Sequence, residues 1–180
     1  MKRWDIINYL IEKNNYKNYL EIGFGDGETF NKINVEEKIG VDPNKNSSCD
    51  YKMTSDEFFS QNKKKFDIIF IDGLHTYDQT KKDLLNSLNF LNFDGTIVMH
   101  DCNPTTFEMQ RTDKTVNGEW TGDVWKVIVE MKKTRTELSI YVVDTDYGCG
   151  IIKFGKQELI KLNENIDYFQ FEKNKNYLLN

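Results

Sequence analysis

The order of apolar segments along the chain is the feature that most constrains its fold. Short apolar runs alternate with segments of helical period, and the run FDIIFIDG (residues 66–73) is almost continuously apolar rather than alternating. A strand of this kind has both faces buried, as in a parallel sheet that is covered by helices. Strands that alternate with helices in this way predict a doubly wound α/β domain.

The same pattern predicts the individual elements. Strands are expected at NYLEI, EKIGVD, FDIIFIDG, TIVMH, LSIYVVD and CGIIKF. Only TDYG separates the last two, which is too short for a helical crossover, so they should pair antiparallel. An Asp94-Gly95 turn should precede TIVMH, and a capping box at Thr54 and Glu57 should begin a helix. Further helical faces are expected at Trp4/Ile7/Leu10/Ile11, Leu84/Leu88/Leu91 and Val124/Val127/Ile128/Met131.

Length and composition place the 180 residues in one domain, residues 1–180. A net charge of −5 argues against a nucleic-acid or membrane partner, because both are polyanions. Cys49, Cys102 and Cys149 form no CxxC pair, so reduced thiols and a cytoplasmic location are expected. Residues 102–121 lack any period and predict a functional loop, whereas 156–180 read as a tail or a docked helix.

Polar side chains follow several of the apolar runs. In doubly wound sheets a ligand binds beyond the carboxyl ends of the strands, so these residues are the candidates for a site. They are the segment Glu21 to Gly27, Asp42, the segment Asp72 to His75, and the segment His100 to Asn103.

The first of these segments, in YLEIGFGDGETF, contains Gly23, Gly25 and Gly27. Either the backbone turns sharply there or a ligand approaches it closely. Glu28 stands where the last glycine of GxGxxG would be, and an acidic loop favours a cationic ligand over a pyrophosphate. Asp42, about twenty residues on, would accept both hydroxyls of a ribose, the alternative being an Asp-Pro turn.

These segments together resemble the class I methyltransferases that use S-adenosylmethionine. The resemblance rests on YLEIGFGDG, GVDPN and FDIIFIDGLHTYDQTKKDL with FDGTIVMHD, and covers residues 19–101 closely and the TGDVWK helix more loosely. It implies a mostly parallel seven-stranded sheet whose last strand is antiparallel. The implied cofactor residues are Glu21 near the amino group, Gly23, Gly25 and Gly27 around the methionyl part, Asp42 on the ribose, Met53 and Thr54 beside the adenine, and Asp72.

FIDGLHTY and HDCN are similar to a narrower group of magnesium-dependent catechol and sugar O-methyltransferases. This similarity implies that Asp72 and Asp101 bind Mg²⁺ and that His75 is the general base. Cys102 stands where relatives carry Asn, which leaves the third ligand open. The alternatives are a cofactor contact or loop cap for Asp72, and structural imidazoles for His75 and His100.

The acceptor implied is a small polar molecule such as a sugar or glycan precursor, contacted by Trp120 and Arg111 in the 102–121 loop. The resemblance is compatible with a homodimer. Two other functions remain open at this stage: a non-catalytic domain that binds S-adenosylmethionine or a protein partner, and a nicotinamide-dependent oxidoreductase.

Overall fold

The computed structural model describes residues 1–113, 118–162 and 166–179. Strands alternate with helices along most of the chain. The elements are α1 (Arg3–Asn14), β1 (Asn18–Ile22), α2 (Glu28–Lys32), β2 (Glu37–Val41), α3 (Ser55–Gln61), β3 (Phe66–Ile71), α4 (Tyr77–Phe90), β4 (Leu91–Met99), α5 (Trp125–Thr134), β5 (Leu138–Val143), β6 (Cys149–Phe154) and α6 (Tyr168–Leu179).

All six strands form one sheet in the order β2-β1-β3-β4-β6-β5. The pairs β1–β2, β1–β3 and β3–β4 are parallel, whereas β6 runs antiparallel to both of its neighbours. The chain order reverses between β1 and β3, so a crevice is expected at the carboxyl ends of these strands. The doubly wound fold and the antiparallel last strand are confirmed.

The strand count differs from the prediction of seven. Within the described residues, an isolated parallel bridge between Val41 and Tyr51 lies at the outer edge of β2, where a further strand would pair. The amide of Asp42 donates to the Tyr51 carbonyl oxygen at 3.1 Å, and no ladder continues from there. Thr54 then caps α3 immediately afterwards, which leaves too few residues for a strand.

Both faces of the sheet are covered by helices, as the apolar runs require. One face packs against α3, α4, α5 and α6 in a large core that includes Trp125 and Phe171, whose ring centroids lie 4.5 Å apart. The other face packs against α1 through Ile7 and Leu10. The predicted inward faces of α1, α4 and α5 are confirmed, except that Leu91 begins β4 instead of ending α4.

The predicted turn at Asp94-Gly95 is part of β4 in the structure. Phe66 pairs with Leu91 and Ile68 pairs with Thr96, so the register shifts and extra residues of β4 bulge between them. A Cβ on Gly95 would lie 2.7 Å from the Asp67 carbonyl oxygen, which explains why glycine is needed in the bulge. The Asp94-Gly95 turn predicted before the TIVMH strand is therefore a bulge within β4.

The structure differs between the two segments that had no predicted strand or firm helix, residues 102–121 and 156–180. Residues 102–113 and 118–121 form no helix or strand, and 114–117 of the predicted loop lie outside the described residues. Much of the tail is helical, since α6 buries Phe171, Leu178 and Leu179 in the core; residues 163–165 and 180 are not described. Among the described residues, no helix is long and apolar enough to cross a membrane.

Candidate active site at the carboxyl ends of the strands

The glycine loop joins β1 to α2 in a conformation that requires glycine. Gly23, Gly25 and Gly27 have φ angles of 88°, 55° and 82°, which L-residues rarely adopt. A Cβ on Gly23 would lie 2.0 Å from the carbonyl oxygen of Asp72, so Gly23 permits the close approach of the β3 end. No atom lies within 4 Å of a Cβ built on Gly25, so its bare backbone borders open space. Both alternatives are therefore present: Gly23 allows the close packing of the β3 end, and Gly25 leaves room for a ligand to approach the backbone.

Glu21 is the penultimate residue of β1 and is almost completely buried, at 1 % exposure. Its carboxyl group receives a hydrogen bond from the Tyr19 hydroxyl, which comes from the same strand. Burial raises the pKa of Glu21 to about 8, and the nearby Asp72 carboxylate adds to the increase, although the Tyr19 hydrogen bond and the positive charge of Arg3 oppose it. In the unliganded protein Glu21 is thus largely protonated at neutral pH. A cationic ligand bound beside it would lower its pKa and stabilise the ionised carboxylate.

Asp42 follows β2 and organises the loops on both sides of the crevice. One carboxylate oxygen accepts the Gly25 amide at 2.8 Å, and the other accepts the Asn44 amide at 2.8 Å. Each oxygen retains a second lone pair for a ligand hydroxyl. The predicted partnership of the glycine loop and Asp42 is thus present as a direct hydrogen bond, and the Asp-Pro turn exists alongside it.

Met53 and Thr54 lie at the start of α3 on the same side of the sheet. The Thr54 hydroxyl forms the predicted capping box with Glu57, so the structure gives it a helix-capping role. Met53 packs against the large core, and its sulfur lies 2.9 Å from the Gln61 side-chain amide.

A carboxylate network beside Thr54 was not predicted. Asp83 of α4 is buried, accepts the Ser55 hydroxyl at 2.5 Å and accepts the Gln79 amide at 3.0 Å. Burial raises the pKa of Asp83. Asp83 lies on a helix of ordinary amphipathic pattern, so the sequence gave no signal that its carboxylate is buried. Gln79 is four residues away on the same helix, and the packing of α3 against α4 brings Ser55 to both.

Asp72, His75 and Asp101 converge where β3 and β4 end. The Nε2 atom of His75 lies 3.3 Å from Asp72 Oδ1, and its Nδ1 atom lies 3.1 Å from Asp101 Oδ2. One ligand-type atom from each residue lies within 4.8 Å of the other two. Asp101 has φ of 60°, an unfavourable conformation for a non-glycine residue and one that often marks functional sites. The three residues singled out for catalysis and metal binding are thus brought together.

His100 occupies the inner side of this cluster. Only 7 % exposed, it lies 3.3 Å from Asp72, 3.3 Å from Asp101 and 3.6 Å from Asp146. Burial opposes its protonation, but hydrogen bonding and attraction from these carboxylates outweigh that effect and raise the pKa of His100 strongly. Burial likewise opposes ionisation of Asp72, yet His100 and then His75 lower its pKa. The three carboxylates therefore favour the protonated form of His100.

Arg3 and Asp146 also reach this cluster, and neither was a predicted site residue. Arg3 is on α1 and Asp146 is in the turn between β5 and β6; their side chains pair at 3.1 Å. Arg3 also donates to Thr29 at 2.8 Å and lies 3.7 Å from Asp72. A basic residue at a helix start and an Asp in a turn are common, so no sequence signal distinguished them before the topology was known.

Trp120 in the irregular loop packs directly on His75. Their rings stack with centroids 4.9 Å apart, and His75 Nδ1 lies 3.0 Å from the Trp120 carbonyl oxygen. The Trp120 indole N–H donates to the Arg111 carbonyl oxygen at 2.6 Å, while the Arg111 side chain pairs with Asp113. Both loop residues thus have structural partners, and Trp120 is the one adjacent to the strand-end cluster.

The donor set of this cluster suits a hard divalent cation. Two carboxylates and an imidazole are ligand types that such ions accept. The Oδ2 atom of Asp101 is buried and, among the described residues, has no hydrogen-bond partner, although His75 lies within ion-pair distance. A cation between the three residues would satisfy that oxygen. His75 is then a candidate for the third ligand that the sequence left open.

A comparison with protein-family profiles matches the segment that contains this site. A methyltransferase-domain family profile matches residues 45–102, a segment that includes Asp72, His75 and Asp101. Comparison with curated proteins gave no match.

Solved structures resemble the whole fold. A putative caffeoyl-CoA O-methyltransferase from Staphylococcus aureus is 21% identical with a TM-score of 0.61, over 84% of this chain and 82% of that one. The methyltransferase PaMTH1 of Podospora anserina, bound to S-adenosylhomocysteine, is 13% identical with a TM-score of 0.63, over 86% and 78% of the two chains. The O-methyltransferase TomG of Streptomyces achromogenes, bound to S-adenosylmethionine, is 11% identical with a TM-score of 0.63, over 84% and 79%.

The strand order of the sheet, the family profile and the solved structures all point to the same fold. At these identities the solved structures establish the fold, and the methyltransferase-domain profile matches the segment from the loop after β2 to just beyond the end of β4. The chain therefore has the fold of the class I methyltransferases, and the resemblance to S-adenosylmethionine-dependent methyltransferases that its sequence predicts is confirmed.

Proposed function

We propose that this protein transfers the methyl group of S-adenosylmethionine to a hydroxyl oxygen of a small polar acceptor, such as a sugar or glycan precursor. The observation that carries the proposal is the alignment of Asp42, the glycine loop, and Asp72 with His75 along one edge of the sheet, at the ends of β2, β1 and β3. Three structural relatives named above are described as O-methyltransferases or methyltransferases, and one is bound to the proposed methyl donor.

The cofactor would extend across the ends of three neighbouring strands. Asp42 at β2 would accept the ribose hydroxyls, with Met53 and Thr54 beside the adenine. The bare backbone of Gly23, Gly25 and Gly27 would receive the methionyl part, and Glu21 would ionise as it pairs with the ammonium group. This arrangement points the sulfonium toward Asp72, at the end of the adjacent strand β3.

The chemistry requires a positioned acceptor and removal of one proton. In an in-line displacement, the acceptor oxygen forms a bond to the methyl carbon as the carbon–sulfur bond breaks, leaving S-adenosylhomocysteine. His75 would take the hydroxyl proton. Donation from His75 Nδ1 to the Trp120 carbonyl oxygen would leave the lone pair on Nε2, the atom that faces Asp72.

Mg²⁺ is the second part of the proposal. Asp72 and Asp101 would hold it, with His75 as the candidate third ligand, and a bound divalent cation lowers the pKa of a coordinated hydroxyl. His75 Nε2 cannot bind the ion and accept the proton at the same moment. Metal dependence and the effect of His75 substitution therefore have to be measured together.

The acceptor would lie beneath the 102–121 loop. Trp120 offers a ring face at the edge of the cluster, and such faces pack well against the apolar side of a sugar ring. The acidic net charge remains the reason not to expect a nucleic acid as the acceptor.

Calorimetric titration with S-adenosylhomocysteine, with and without Mg²⁺, is the first test. We expect saturable 1:1 binding to the wild-type protein. Substitution Asp42→Ala should weaken it about 10- to 100-fold through loss of the ribose hydrogen bonds. The proposed function is wrong if the wild-type protein binds neither S-adenosylhomocysteine nor S-adenosylmethionine.

Turnover is the second test. Methyl transfer from labelled S-adenosylmethionine would be screened against free sugars, nucleotide sugars and catechols, in Mg²⁺ and in EDTA. With the best acceptor, His75→Ala should lower turnover about 100-fold or more while S-adenosylhomocysteine still binds. Leu74→Ala, an exposed neighbour, is the matched control. Full turnover by His75→Ala would contradict its catalytic role, and tight cofactor binding without any acceptor would favour a non-catalytic function.

A further inference from the structure

Arg3 extends from α1 to the border between the glycine loop and the strand-end cluster. Its Nε atom donates to Thr29 Oγ1, in the first turn of α2, at 2.8 Å and lies 3.7 Å from Asp72 Oδ2. Nη1 pairs with Asp146 at 3.1 Å. The remaining nitrogen, Nη2, has only a long contact of 3.5 Å with the half-exposed Glu28 carboxylate. Nε and Nη1 of the guanidinium group are therefore held by protein partners, whereas Nη2 can still form a shorter hydrogen bond with a ligand.

The surroundings of Arg3 are acidic. Asp72, Asp146 and Glu28 lie within 4 Å of its guanidinium group. Asp26 adds a further carboxylate in the glycine loop. Such a site attracts the ammonium and sulfonium groups of the proposed cofactor but repels its carboxylate. An α-amino-acid end can bind there only if a cation compensates for the repulsion.

We infer that Arg3 binds the carboxylate of the methionyl end of S-adenosylmethionine through Nη2 and thereby selects donors that carry an intact α-amino-acid group. The inference rests on the proposed function and adds to it the recognition of that end of the cofactor. Arg3 lies beside the ends of β1 and β3, on the side of the crevice opposite Asp42, as the orientation of the cofactor requires.

Other cations near the site are less suitable. His100 is only 7 % exposed and is enclosed by Asp72, Asp101 and Asp146, so a ligand carboxylate cannot reach its ring nitrogens. The Lys2 side chain is 54% exposed and pairs with Asp146 at 2.7 Å, outside the crevice. The Arg111 guanidinium group pairs with Asp113. Arg3, at 17% exposure, is partly shielded from water and still reachable.

The test compares two donors that differ by one group. Decarboxylated S-adenosylmethionine keeps the amine, the sulfonium and the adenosine but lacks the carboxylate. Wild-type protein should bind S-adenosylmethionine about 10- to 100-fold more tightly than the decarboxylated compound, since a hydrogen bond between charged groups contributes that much. In Arg3→Gln the preference should fall to about threefold or less, and Arg3→Lys should be intermediate because it keeps the charge without the planar fork.

Lys2→Gln is the matched control, because Lys2 shares the Asp146 contact with Arg3 but does not reach Thr29 or Asp72. It should keep the wild-type preference. The inference is wrong if Arg3→Gln weakens both donors equally, which would indicate a purely structural role, or if it weakens neither. It is also wrong if folded Arg3→Lys and Arg3→Gln retain the full preference. Failure of wild-type protein to bind either donor would refute the proposed function itself, which distinguishes the two failures.

Discussion

Replacement of Glu21 by glutamine should stabilise the unliganded protein in a pH-dependent way. The folded-state pKa of Glu21 is raised from 4.5 to about 8 because its carboxyl group is buried. The folded state therefore holds a proton that the unfolded state releases at lower pH. Stability falls as pH rises through the interval from 4.5 to 8 and is constant above it. With about 1.4 kcal/mol for each pKa unit, a shift of 3.5 units costs about 5 kcal/mol at pH 9.

Urea unfolding of the wild-type protein and Glu21→Gln between pH 5 and pH 9 measures this directly. The difference in unfolding free energy should grow in favour of the variant by about 1 kcal/mol per pH unit and level off near pH 8. Tyr19→Phe is a second variant, because loss of the hydroxyl that donates to Glu21 should raise the pKa of Glu21 further and move the plateau to higher pH. A difference that stays constant from pH 5 to pH 9 would refute the reasoning.

The remaining predictions concern the glycine loop and the cofactor. Gly23→Ala should destabilise the fold by about 2–5 kcal/mol, since its Cβ would lie 2.0 Å from the Asp72 carbonyl oxygen; a thermal shift under 2 °C would contradict this. Gly25→Ala should cost only about 1–2 kcal/mol, for its φ of 55°, yet weaken S-adenosylhomocysteine binding, whereas unaltered affinity would argue against ligand contact there. At pH 7, S-adenosylhomocysteine binding should release close to one proton from Glu21, seen as a calorimetric enthalpy that varies with the buffer; an enthalpy independent of buffer would contradict ionisation of Glu21.

The sequence predicted the parts of the fold that depend on local pattern. Continuous apolar runs located the buried strands, and the capping box at Thr54 located the start of α3. Strand ends placed Asp42, Asp72 and Asp101 at one edge of the sheet, because parallel strands finish at the same edge, and predicted that Asp72 and Asp101 lie close together. These inferences need only the chain order and the period of the apolar residues.

Features that depend on three-dimensional packing were not predictable in the same way. The bulge at Asp94-Gly95 arises because Leu91 still pairs with Phe66, which no local signal encodes. Arg3 and Asp146 are 143 positions apart and meet only because α1 and the β5–β6 turn lie at the same end of the sheet. The cation at His100 follows from three carboxylates that come from different elements.

The stacking of Trp120 on His75 has a consequence for how the proposed acceptor specificity could change. In many enzymes a specificity loop can be exchanged while the reactive groups stay on the scaffold. Here the loop supplies both a ring face and a carbonyl oxygen to the imidazole itself. Any transplanted or evolved loop would have to rebuild that support, so changes of substrate in this lineage should preserve the aromatic residue and alter the positions around it.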